Sequence, residues 1–186
     1  MTKNTGSSRR HSINFITRTA ILLALTIAVQ QFKTLNQFIT GPLVNAFLIL
    51  AVLAVGLWSG VAIAVLSPIA AVLINPAPIM QLVPQMMFVI AIGNLLLVIM
   101  VSLLKNKFGK AGPITGMLLG AILKTGFLWL AVSYAVIPIW GAVLKDPQKI
   151  ALTAMFSYNQ LITALIGSAL SYIVWLRFSK ALEMKR

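Results

Sequence analysis

Apolar residues run along this chain in long, nearly charge-free stretches, without the one-sided stripe of a soluble helix or the strict alternation of a half-buried strand. A bilayer core is crossed by about 20 apolar residues in helix, and runs of roughly that length follow one another from end to end. Six spans are predicted, at about residues 15–31, 42–56, 60–75, 82–104, 113–138 and 150–176. The second and third come from one apolar stretch, Pro42 to Asn75, which as a single helix would reach roughly 50 Å across a core of about 30 Å. The Gly56-Leu57-Trp58-Ser59-Gly60 segment divides it. Barrel strands would alternate polar and apolar residues, which these runs do not. The expected fold is therefore an all-α integral membrane bundle, one membrane domain over residues 1–186, with 1–14 as a cytoplasmic tail.

Composition agrees with that pattern and removes its competitors. Sixty per cent of residues are hydrophobic, 9% are charged, and mean hydropathy is +0.98, which excludes an ordinary soluble domain. The net charge of +13 would point to nucleic acid in a soluble protein, but here the basic residues flank apolar segments and set orientation. With six spans, one side collects Lys3, Arg9, Arg10, Arg18, Lys105, Lys107, Lys110, Arg177, Lys180, Lys185 and Arg186, eleven of the fifteen bases. A single crossing of residues 42–75 would put the Lys105–Lys110 cluster opposite the N-terminus. Both termini are thus expected in the cytoplasm, with Lys33, Lys145 and Lys149 outside. The apolar stretch after Arg18 lacks a small-residue cleavage motif and reads as a retained first span.

The inventory of reactive groups is short. Acidic residues are Asp146, in an outer loop, and Glu183, in the C-terminal tail; the one histidine, His11, is also in a tail, and there is no cysteine. Proton relays, metal sites and paired-carboxylate or Ser-His catalysis lack their parts within the spans. No phosphate-binding Gly-x-x-x-x-Gly-Lys-Ser/Thr loop is present, so ATP hydrolysis belongs elsewhere. No cofactor, metal or enzymatic activity is expected, and active transport would draw its energy from partner proteins.

Lys124 stands apart. It falls about eleven residues into the fifth span, near mid-membrane, where an ammonium costs at least about 2.5–3.5 kcal/mol on insertion scales. It either meets an anionic or acceptor-rich ligand, or bonds backbone carbonyls and snorkels. Asn94 in span four and Tyr158, Asn159 and Gln160 in span six fall at comparable depth, on the outer side of the same half of the bundle. Their amides would either read a polar heterocycle or join helices to one another. Gln81 and Gln85, with Trp129 and Tyr134, would line an entrance, the aromatics serving equally as interfacial anchors. In span one, Ala20, Ala24 and Ala28 form an i, i+4, i+8 stripe, suited to packing within the bundle or to docking another membrane subunit.

Taken together, Ala20-Ile-Leu-Leu-Ala24, Gly41-Pro-Leu-Val-Asn45-Ala, Ile92-Gly-Asn94, Leu123-Lys124 and Asn159-Gln160-Leu-Ile-Thr163-Ala resemble the substrate-binding S component of an energy-coupling factor (ECF) vitamin transporter. The resemblance covers nearly the whole chain. It implies a multi-pass subunit of a bacterial cell membrane that captures a vitamin from outside through its first loop and spans four to six. It also implies partners, a membrane coupling protein and two cytoplasmic ATPases, with Ala20 and Ala24 meeting the coupling protein. The chain looks most like group II members assigned to hydroxymethylpyrimidine or pyridoxine, and second like the pantothenate members. Asn94, Asn159 and Gln160 suit a flat nitrogen heterocycle, whereas Lys124 suits a carboxylate. The absence of a dense aromatic cage, together with Lys124, counts against a thiazolium cation. A stand-alone facilitator or channel, and a ligand-free assembly protein, are the competing classes.

Overall fold

The computed structural model describes residues 5–32 and 37–183, with side chains for 12–32 and 37–177. Of the bases used to orient the chain, the side chains of Lys3, Arg9, Arg10, Lys33, Lys180, Lys185 and Arg186 lie outside the described residues, as does much of the first outer loop.

The described residues are helical almost throughout, and six helical stretches are long and apolar enough to cross a membrane. The first, α1, runs Thr5–Gln31, so helix extends into the segment expected as a tail. Helices α2, Gln37–Ala54, and α3, Leu57–Ile74, are separated by Gly56 at φ 140°, a conformation L side chains rarely adopt. That one glycine turns the overlong apolar stretch back on itself. A short helix α4, Pro78–Leu82, then leads into α5, Met86–Leu104. The residues expected to start span four belong instead to this separate turn, because Val83 and Pro84 interrupt the run.

Helix α6, Gly112–Ala131, continues through a wide π turn at Val132–Val136 into α7, Ile137–Trp140. The last expected span is also composite. Helix α8, Asp146–Met155, ends at Phe156, and α9 starts afresh at Tyr158 and runs to Glu183. Both pieces are apolar enough to read as one run, but the break moves Tyr158, Asn159 and Gln160 from the interior of a helix to its first turn.

Packing is most extensive between α5 and α6 and between α2 and α9. Small residues allow these approaches. A Cβ on Gly93 would fall 2.9 Å from Leu128 Cγ, and one on Gly167 would fall 2.6 Å from the Pro42 carbonyl oxygen and 2.7 Å from Asn45 Cβ. Two apolar clusters result. One, with Leu48, Ile49, Val52, Ile63, Leu97, Val101 and Met117, fills the half nearer Lys105; the other, with Met86, Leu128, Val132, Val136 and Leu152, fills the opposite half. Lys105 at the end of α5 donates to the Val52 carbonyl at 2.8 Å, and its burial holds the ammonium below the usual lysine value.

Candidate functional site

Between the two apolar clusters lies a polar layer built from three helices. Along α2, Asn45 precedes Leu48; along α5, Asn94 precedes Leu97; along α6, Lys124 falls between Ala121 and Leu128. The close approaches at Gly93 and Gly167 draw these helices together at that level. Lys124 is 3% exposed, and its Nζ donates to Asn45 Oδ1 at 2.6 Å and to Asn94 Oδ1 at 2.7 Å. The lysine thus bonds neither backbone carbonyls nor the membrane surface; it is held by two side-chain amides from neighbouring helices.

This geometry fixes the orientation of the amides. An ammonium only donates, so each carboxamide must turn its oxygen toward it and its NH2 away. The Nδ2 of Asn94, a residue 1% exposed, is consequently buried without a partner. An unmade bond of this kind costs about 1–3 kcal/mol. The ammonium also keeps one of its three N–H donors beyond the two used on Asn45 and Asn94.

Both free donors belong to residues that line a cavity of about 280 Å³, the small end of ordinary ligand sites. The cavity extends from Lys124 to the helix ends opposite Lys105, where Gln30 of α1, Gln37 and Thr40 of α2, Met155 of α8 and Phe156 surround it. Ile90, Leu128, Val72 and Met80 give it apolar walls. Gln30 contributes a buried Oε1 with no partner, so an acceptor complements the donors at the other end. Across this end, Gln37 Nε2 donates to the Met155 carbonyl at 2.8 Å and fastens the start of α2 to the end of α8.

Of the residues expected at the site, Asn94, Lys124 and Gln160 line this cavity. The others lie outside its lining. Tyr158 is exposed and Asn159 half-buried, in the first turn of α9 just after the break at Phe156. Trp129 is exposed and stacks edge-on against Tyr134 at 6.2 Å, on the outer surface of α6. Gln85 is half-buried with an unpartnered Oε1, in the turn before α5. Asn45, Gln30, Gln37 and Thr40 are polar lining residues that sequence reasoning did not place at the site. Asn45 stood within a noted motif, but nothing local to it announces a bond to a residue 79 positions away.

The three alanines of α1 present another surface. Ala20, Ala24 and Ala28 are all exposed, as are Ile13, Ile16, Ile21 and Leu25 on the same helix. The stripe is therefore not used for packing within the bundle.

A bundle of six membrane-spanning helices with Lys124 buried beside a small cavity has the build of a ligand-binding membrane subunit. The family described as ECF transporter, substrate-specific component, matches residues 14–177, and the chain belongs to that family. No curated protein and no solved structure matches the chain. It is thus a multi-pass cell-membrane protein that serves as the substrate-specific subunit of an ECF transporter.

Proposed function

We propose that the cavity beside Lys124 is the vitamin site, open to the outside, with both chain termini in the cytoplasm. The orientation rests on the Lys105, Lys107 and Lys110 cluster, which occupies the end of the bundle opposite the cavity. The observation that carries the site is Asn94 Nδ2, buried without a partner beside a Lys124 ammonium that uses two of its three N–H donors on Asn45 and Asn94, with both Lys124 and Asn94 lining a cavity of about 280 Å³. The substrate is a flat nitrogen heterocycle of the hydroxymethylpyrimidine or pyridoxine kind, read by amides that both donate and accept. A second reading, pantothenate, is favoured specifically by Lys124, whose charge has no acidic partner. Tyr158, Asn159, Gln85 and Trp129 belong in this proposal to the approach to the site.

The exposed face of Ala20, Ala24 and Ala28 is proposed as the docking surface for the membrane coupling protein, which links the subunit to two cytoplasmic ATPases. Small residues allow another helix to come close in lipid. Co-isolation from mild detergent tests this directly: a tagged chain should bring down the coupling protein and both ATPases. Recovery of the chain alone in repeated preparations would sink the reading and favour a stand-alone facilitator.

A further inference from the structure

The charge of the site is unbalanced. Lys124 is 3% exposed and rests on two neutral carboxamides. The chain has only two acidic residues, Asp146 and Glu183. Asp146 pairs with Lys149 at 3.0 Å on the exposed surface of α8, and Glu183 stands at the far end of α9. Asp146 does not line the cavity, and no titratable side chain besides Lys124 lines it among the described residues. Buried ammonium groups are ordinarily paired with an opposite charge, because neutral acceptors offset only part of the lost hydration.

Deepening the vitamin-site reading, on which it rests, we propose that the ligand supplies the missing counter-charge: the substrate carries an ionised oxygen that Lys124 and the Asn94 amide bind together. Lys124 and Asn94 line the same end of the cavity and each keeps an N–H that no protein group is shown to take, so an oxygen anion that reached both would satisfy them together. A ligand cation, or a donor group at that position, would leave the two protein donors unmet and add like charge. The Gln30 Oε1 asks for the opposite, a donor elsewhere on the same molecule. Two molecular sources provide this chemistry. A carboxylate of the pantothenate type has hydroxyl and amide donors beyond it. A 3-hydroxypyridine ring of the pyridoxine type carries an oxide when its nitrogen holds the proton, and that N–H is the donor. Hydroxymethylpyrimidine has no ionisable oxygen in the neutral range, so the counter-charge proposal narrows the vitamin-site reading to pyridoxine or pantothenate chemistry.

Matched probes test it on the purified full chain in detergent. Pantothenate is compared with pantothenol, where a hydroxymethyl group replaces the carboxylate, and pyridoxine with its 3-deoxy analogue; hydroxymethylpyrimidine is the neutral control. One member of a pair should bind, and its oxygen-free or alcohol counterpart should bind about 10- to 100-fold more weakly, the scale of a charged hydrogen bond. Which pair responds identifies the source of the oxygen. Lys124→Gln should remove that discrimination. Asn45→Asp keeps the side-chain shape and gives Lys124 a resident counter-ion, so it should weaken the anionic probe by a similar factor even if Lys124→Gln fails to fold. Equal binding within both pairs, or tight binding of hydroxymethylpyrimidine that survives Asn45→Asp, overturns the counter-charge proposal and leaves vitamin capture standing. If none of the five probes binds and the purified chain retains no small molecule, the vitamin-site reading itself is overturned.

Discussion

Helices α1 and α5 are both long and apolar, yet they are built for different neighbours. In the span of α5, 33% of residues are buried inside the bundle; in that of α1, only 6% are. Particular residues show the difference. Asn94 of α5 is enclosed and bonded to a lysine, whereas α1 turns Ala20, Ala24 and Ala28 outward. A helix that gives its small residues to the outside makes close approach by another helix possible without disturbing the core. In the proposed function this difference sets coupling beside capture: α2, α5 and α6 hold the buried lysine, while α1 gives Gln30 to the cavity lining and turns its small residues outward as the proposed docking face.

That arrangement can be broken from either side. Replacing Ala20 and Ala24 together by Leu should have the largest effect, abolishing recovery of the coupling protein with the tagged chain while leaving ligand affinity within about twofold, since neither side chain enters the bundle. Loss of ligand binding in that variant would show that α1 is not separable from the site. Next in size, Asn94→Ala should weaken the ligand about tenfold or more by removing both a ligand donor and one support of Lys124, with partner recovery unchanged. Equilibrium binding and co-isolation on the same preparation read the two effects independently.

Gly93→Ala sharpens the comparison within the bundle. The added methyl meets Leu128 at 2.9 Å and must spread α5 from α6, at a cost of about 1–3 kcal/mol. A lowered melting temperature together with weaker ligand binding is expected; Ala24→Gly on α1, by contrast, should change neither by more than a small amount beyond helix propensity, about 1 kcal/mol. Among the variants at the cavity, the smallest effect should come from Gln37→Ala. Losing its bond to Met155 releases one fastening across the outer end of the cavity, worth about 0.5–1.5 kcal/mol, so ligand should dissociate about three- to tenfold faster in stopped-flow measurements.

The spans were readable because lipid demands long apolar helices, and the Lys105–Lys110 cluster resolved the one ambiguous stretch into two crossings. Lys124 was readable for the complementary reason, since an ammonium amid apolar residues is conspicuous. Its true partners were less so. Asn94 stood out by depth, but Asn45 became a partner only through the packing of α2 against α9 and its approach to α6. The break at Phe156 that puts Tyr158 in the first turn of α9 was not legible, because α8 and α9 read as one continuous span by hydropathy. Hydrogen-bond direction was beyond reach of the sequence altogether: the free Asn94 N–H follows from where Lys124 lies in space.

Mass spectrometry of the small molecule retained by the purified chain tests the central claim most directly, run on the unaltered protein, on Asn94→Ala and on Ala20→Leu/Ala24→Leu. The account predicts one vitamin-sized molecule bearing an ionisable oxygen, retained by the unaltered protein and the α1 variant and lost from Asn94→Ala. Retention that is unchanged in Asn94→Ala, or lost only in the α1 variant, would contradict it.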